Sequence, residues 1–425
     1  MCQQSPMPSR APNPLRMVGI NAGIIALALS VSVPTHAIDF SWQPQLRVGS
    51  RATDNVLSSV RNQEAALGFD NTGSVILKAE AVDWRSSITP SLNIRRFAIG
   101  DRLDAEEYGV HSQHQWDATS RLQATLGADY ARDSTLTTEL IDAGRQTIVA
   151  DRDTVTIAPG LVFRLSDVTS LNSNFLYSDV QFSGTTDQSL VNYTYKQLSV
   201  GGTHILNDQI QLSLTGFVSE FETPSLGGKT RTYGGQTGVT YQYSSDLAFD
   251  VGIGYVTSDI EFLDSFFTLV FGPPPRVVRV EQPGSTSTSG PIANASIRKT
   301  FENMRTRLDY SRSVSPSIRG SQTLDDNIIF TLDRDLTKRW IAGFRGSYNM
   351  RAAESDAVGG NIGDLNREQT TVGAYFSYQL TRQISLRTEY RYAHALIALS
   401  NQLIDSNALF FTVNYTGDPH VFGGY

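Results

Sequence analysis

The sequence predicts an all-β fold, a transmembrane antiparallel up-and-down outer-membrane β-barrel of about 18 strands, with about 16 as the alternative count. Three observations lead there. Apolar and polar residues alternate with period two along nearly all of the chain beyond residue 37. Tight polar turns alternate with longer polar loops between those segments. An export signal opens the chain, and no later run of about 20 apolar residues could form a spanning helix.

Residues 1–37 read as a signal peptide, leaving 38–425 as the barrel. Arg10 and Arg16 precede an apolar run from Val18 to Val33, and Thr35-His36-Ala37 offers small residues for cleavage before Ile38. Met7 and Met17 are alternative starts. Cys2 is the only cysteine and precedes the apolar run, which argues against a lipid anchor and leaves the mature chain without a disulfide.

Strands are expected at 42–56, 71–82, 87–99, 106–119, 121–134, 151–165, 169–183, 188–206 and 209–222, and again at 229–243, 246–261, 291–302, 305–316, 320–334, 338–351, 367–380, 383–395 and 405–416. In one of them Leu122, Ala124, Leu126, Ala128 and Tyr130 share a parity while Gln123, Thr125 and Asp129 take the other. Such a segment needs one apolar and one aqueous side along its whole length. Tight turns fall at Thr119-Ser120, Ser166-Asp167, Asn207-Asp208, Ser245-Asp246, Glu302-Asn303, Asp335-Leu336 and Thr381-Arg382. Longer loops at 57–70, 135–150, 262–290 and 352–366 then lie at the opposite, extracellular end. A β-propeller would also show recurrent turns, but its blades need shorter strands than the roughly 12-residue segments here, which suit an oblique bilayer crossing.

The stretch FFTLVFGPPPRVVRVEQPGSTSTSG, residues 266–290, is the unusual loop. It reads either as a strand pair extending past the membrane or as a segment folded into the pore. Tyrosines and tryptophans toward strand ends, such as Tyr130, Tyr241, Tyr255, Trp340 and Tyr378, suit a membrane interface, although tyrosine is also simply a good strand residue.

Charge narrows the function. Charged residues make up only 18% of the chain and the net charge is −7, so no nucleic-acid surface is implied. An arginine facing lipid at the midplane costs about 2 to 4 kcal/mol, so the charged parity must face the lumen. Pore-lining candidates on that basis are Arg47, Arg51, Lys78, Glu80, Arg305, Arg307, Asp309, Arg345, Arg387, Glu389 and Arg391. They serve either as a bracing ladder of opposite charges or as polar groups that orient a passing solute.

Catalytic chemistry is not written in the sequence. There is no G-x-S-x-G elbow or H-E-x-x-H pair, and His111 and His114 differ in parity and so face opposite sides of their strand. His394 with Ser400 near the outer rim is the single arrangement worth testing as a lipid- or glycan-modifying site, though a rim histidine is more often simply interfacial. No metal site and no cofactor are expected.

At PQLRVGSRATDNV (44–56) and RRFAIGDRLDAEEYGVHSQHQWDATSRL (95–122) the chain resembles the EpsL-type outer-membrane β-barrel proteins of exopolysaccharide operons, within the wider putative β-barrel porin group. The first stretch carries Asp54-Asn55 at a strand end, and the second carries Trp116 after an acidic aromatic loop. The resemblance implies export or assembly of an extracellular polysaccharide, with periplasmic export components as partners, and brings no catalytic residues. The leading expectation is therefore a monomeric barrel in the outer membrane of a Gram-negative bacterium, surrounded by lipid and lipopolysaccharide, that passes or guides a polysaccharide. The alternatives are a general diffusion porin for small hydrophilic solutes, an outer-membrane enzyme and a closed structural barrel. Either Tyr415 or Tyr425 is expected to be the terminal aromatic of barrel assembly.

Overall fold

The computed structural model describes residues 38–56, 63–98, 103–135, 150–184, 190–270, 276–316, 322–353, 367–397 and 402–422. The expected signal peptide and the segments 57–62, 136–149, 271–275 and 354–366 of the expected loops lie outside the described residues.

The strands are β1 (Asp39–Thr53), β2 (Ala66–Glu80), β3 (Trp84–Phe97), β4 (Ala105–Asp117), β5 (Leu122–Ser134), β6 (Asp151–Arg164), β7 (Thr169–Ser183), β8 (Tyr193–Asn207) and β9 (Ile210–Thr223). They continue as β10 (Gly228–Ser244), β11 (Leu247–Val270), β12 (Arg276–Thr300), β13 (Met304–Pro316), β14 (Gln322–Asp335), β15 (Trp340–Ala353), β16 (Arg367–Gln379), β17 (Ile384–Ile397), β18 (Gln402–Thr416) and β19 (His420–Phe422). Each of β1–β18 pairs antiparallel with its sequence neighbours, and β1 pairs with β18 from Gln45↔Thr416 to Thr53↔Ala408. The sheet therefore closes on itself, which removes both free edges. β19 resumes the course of β18 past Gly417 and pairs Trp42 with His420, so the barrel has 18 strands with an interrupted last one.

The short turns share a local chemistry that explains their position. Thr119, Ser166, Thr337 and Thr381 each accept, through the side-chain oxygen, hydrogen bonds from the backbone N–H groups two and three residues on. Asn207 does the same with Oδ1, at 2.9 Å to both Gln209 and Ile210. These side chains mimic a backbone turn and reverse the chain in few residues. All five lie at one end, which is the periplasmic end by the short-turn rule.

Period two then sorts every strand. On β1, Phe40, Leu46 and Val48 are exposed on one parity while Gln45, Arg47 and Arg51 take the other. Leu214 and Ile253, 66% and 63% exposed, stand out from β9 and β11 with no protein against them. A closed wall with leucine, isoleucine and valine exposed outside and arginine inside requires lipid outside and water inside. The protein is a bacterial outer-membrane β-barrel.

Two expectations change. The 262–290 loop is mostly strand: β11 and β12 pair without interruption from Leu247↔Lys299 to Val270↔Arg276, the extended strand pair of the first reading. Pro283 and Pro291 precede the first β12–β13 pair at Ala293↔Arg312, on an edge that has no partner among the described residues. At the C-terminus Tyr415 does not end the last described strand, and Tyr425 lies outside the described residues. That place belongs to Phe422, whose ring lies 6.4 Å from that of Phe40.

Candidate functional site: an arginine-lined lumen

A cavity of about 1380 Å³ runs along the inward faces of β13–β18 and β1. Eight arginines reach it: Arg47 and Arg51 from β1, Arg152 from β6, Arg345 and Arg351 from β15, Arg367 from β16, and Arg387 and Arg391 from β17. Among the described residues three carboxylates do, Asp325, Asp333 and Glu389. On β9–β11, inward-facing Phe221, Thr232, Val256 and Ser258 are buried, so at their level the aqueous path keeps to the arginine side.

Six of the sequence candidates line this cavity: Arg47, Arg51, Arg345, Arg387, Glu389 and Arg391. The register places the other five on the inward parity toward the periplasmic end. Lys78 and Glu80 pair with Ser41 and Asp39, which share the parity of Arg47. Arg305, Arg307 and Asp309 share the parity of cavity-lining Ser311, Ser313 and Ser315. Arg307 Nε meets Asp309 at 2.6 Å and Arg305 Nη2 meets Asp335 at 3.3 Å.

The lumen arginines divide into held and open ones. Arg351 binds Asp325 through Nε at 2.6 Å and Nη2 at 3.1 Å. Glu389 sits between two arginines, with Oε2 2.8 Å from Arg387 Nη2 and Oε1 2.7 Å from Arg391 Nη2. Arg387 also stacks over Tyr375 at 3.7 Å, and Arg391 over Phe410 at 4.8 Å. Tyr375 Oη in turn donates to Asp333. These contacts fix the guanidinium planes, so the bracing ladder expected from sequence is present on β14–β17. Arg47 and Arg345 have no carboxylate partner among the described residues, and buried Arg51 Nε has no hydrogen-bond partner there. Arg51 instead lies 5.0 Å from the centre of Phe97.

Register explains the spacing. Arg391 pairs with Gly373, and Gly373 pairs with Arg345. Glycine stands between the two arginines at a close approach, where an added Cβ would lie 3.2 Å from Tyr390 O.

Sequence reading missed Arg152, Arg351, Arg367, Asp325 and Asp333. Arg351 was accessible to it, because it shares the odd parity of Arg345 on the same strand. Arg367 opens β16, where alternation had not yet begun to sort the faces.

The Asp54-Asn55 pair has a structural role. Asp54 accepts from Asn407 N at 2.8 Å and Asn407 Nδ2 at 2.7 Å, while Asn55 Nδ2 donates to Asp405 O at 2.9 Å. The two residues stitch the end of β1 to β18 at the extracellular side of the seam. His394 faces outward and meets Asp405 at 2.8 Å; Ser400 lies outside the described residues.

No family model matches the chain, and no curated protein matches it. Among solved structures it is similar to Pseudomonas aeruginosa OpdL (TM-score 0.46, 11% identity, covering 91% of this chain and 99% of that one). It is also similar to P. aeruginosa OccK5, or OpdH (0.48, 9%, 90% and 98%), and to Acinetobacter baumannii OccAB3 (0.45, 10%, 90% and 99%). These likenesses are ones of fold alone.

The expectation of a polysaccharide conduit is overturned. It stood on the EpsL-like stretches alone, which no family model supports, and the solved barrels similar in fold are Opd and Occ proteins.

Proposed function

We propose that the barrel works as a monomeric diffusion porin for small hydrophilic solutes, with a preference for anions. The supporting observation is the charge of the cavity, where eight arginines face three carboxylates and Arg47 and Arg345 carry no counter-charge among the described residues. A barrel of 16 to 18 strands encloses an aqueous channel unless plugged. Within it a unit charge attracts an anion about 4 Å away by about 1 kcal/mol at the dielectric constant of water, close to a fivefold preference per unpaired arginine.

Liposome swelling tests this. Proteoliposomes are expected to swell faster in a small monocarboxylate than in a size-matched ammonium compound, with a neutral sugar of similar size between them. Equal rates for all three would remove the anion preference, and no swelling at all would remove the porin.

A further inference from the structure

One register row crosses eight strands of the wall, β14–β18 and then β1–β3. On β14 to β17 it reads Asp333, Gly343, Tyr375, Glu389. On β18 and β1 to β3 it continues Phe410, Arg51, Gly68, Phe97. In each half an aromatic residue is the direct cross-strand partner of a glycine, and in each half an arginine lies over that ring.

The two units are built alike. A Cβ at Gly343 would fall within the ring of Tyr375, 2.6 Å from its Oη, and a Cβ at Gly68 would lie 2.8 Å and 3.0 Å from Cε1 and Cδ1 of Phe97. Each ring therefore occupies the space that its glycine leaves. On the seated rings, Arg387 lies 3.7 Å from the centre of Tyr375 and Arg51 lies 5.0 Å from the centre of Phe97.

Seating also sets the reach of Tyr375. Its Oη donates to Asp333, two strands away and so about 9.6 Å across the sheet. The ring covers that distance by lying across Gly343, where any side chain would stand in its path. Phe97 has little room to move aside, because it is buried in one apolar cluster with Val56, Ala66 and Leu103.

A third pair lacks the arginine. Gly234 on β10 is the cross-strand partner of Phe217, and a Cβ there would likewise enter the ring. Among the described residues no guanidinium lies over Phe217. This pair packs a ring without placing a charge, and so separates the two roles.

We propose that Gly343 and Gly68 help determine the selectivity of the channel as positioning residues. Each seats a ring, and the ring holds a guanidinium, Arg387 or Arg51, at the lumen surface that both arginines line. The inference rests on the anion-preferring porin reading and adds to it two residues that carry no charge. A methyl group at Gly343 would tilt Tyr375 off the wall, so that the bond to Asp333 and the contact with Arg387 could not both survive. Asp333, which also lines the cavity, would lose its tyrosine donor.

The test reads the zero-current potential of the full mature chain in planar bilayers under a gradient of dilute KCl. Gly343→Ala and Gly68→Ala are each expected to lower the anion-to-cation ratio by about two- to fivefold, up to the effect of one unit charge about 4 Å from the ion path. Both should still run as folded barrels by heat-modifiable gel mobility. Gly234→Ala, which displaces a ring that carries no arginine, should keep the wild-type ratio. Tyr375→Leu removes the ring and should lower the ratio by itself. Because Gly343 acts through that ring, Gly343→Ala should add nothing in the Tyr375→Leu background. The double variant also serves if Gly343→Ala alone does not fold, since the shorter leucine relieves the clash. Wild-type ratios in the folded glycine variants, an equal loss in Gly234→Ala, or a further loss on adding Gly343→Ala to Tyr375→Leu would overturn the inference. A wild-type barrel that conducts without anion preference is a separate failure, one that removes the underlying reading and this inference with it.

Discussion

Replacing Glu389 with glutamine should make the channel more anion-selective, although it deletes a residue that lines the pore. Glu389 is shared by Arg387 and Arg391 at 2.8 Å and 2.7 Å, so one carboxylate offsets two guanidiniums. Among the described lining residues, eight arginines less three carboxylates leaves a formal excess of five positive charges, which the substitution raises to six. Locally the change is larger, because a cluster of net charge one becomes a cluster of net charge two. At about 4 Å, with the dielectric constant of water, the added charge is worth about 1 kcal/mol, or about fivefold in the anion-to-cation permeability ratio. Arg387 stays stacked on Tyr375 and Arg391 on Phe410, so the positive groups keep their positions. The assay is the zero-current potential across a planar bilayer holding a KCl gradient, read for wild type and E389Q at low and high ionic strength. The increase should be greatest in dilute salt and shrink near 1 M, where the screening length is about 3 Å. An unchanged potential in dilute salt, or a shift toward cations, would refute the placement of this triad on the ion path.

Three other outcomes follow from the same geometry. Arg47→Gln with Arg345→Gln should lower the anion preference by up to about fivefold per residue without loss of folded barrel, since neither side chain is held by a carboxylate among the described residues; unchanged selectivity would mean that solute passes elsewhere. Asp54→Ala with Asn55→Ala removes three hydrogen bonds across the seam, at about 0.5 to 1.5 kcal/mol each, and should lower the unfolding midpoint in urea; an unaltered midpoint would remove the stitching role. In the β10–β11 turn, hydrogen bonds from Lys299 and then Ser244 hold the exposed Asp246 carboxyl below the usual range. A lowered folded-state value means its contribution is present above the unfolded carboxylate range near pH 4 and is lost as pH falls through the folded value. Wild type should therefore exceed D246N in urea stability at pH 6 and match it at pH 2, and a difference persisting at pH 2 would contradict the assignment.

Much of this was legible in the sequence because a barrel strand must solve the same problem at every residue. β7 was expected at 169–183 and spans Thr169–Ser183, since lipid on one side and water on the other leave no freedom of phase. Turn positions were readable for a local reason, a Ser, Thr or Asn whose own side chain bonds the next two amides. What failed was what depends on partners distant in sequence. The 266–290 stretch stayed open between a strand pair and a pore-folded segment because alternation cannot reveal which strand it pairs with. The lumen charges were sorted correctly by face, but which are held and which are open depends on register. Arg391 faces Arg345 across Gly373 only because β15, β16 and β17 align as they do. The Asp54-Asn55 motif suggested a family and proved to mark the seam.

The most direct test of the central claim is the zero-current potential of the purified wild-type barrel in a planar bilayer, with KCl tenfold more concentrated on one side. The account predicts stepwise conductance and a potential of the sign carried by chloride, larger in dilute salt. A potential of the opposite sign, or a barrel that never conducts, would contradict an arginine-lined path for small anions.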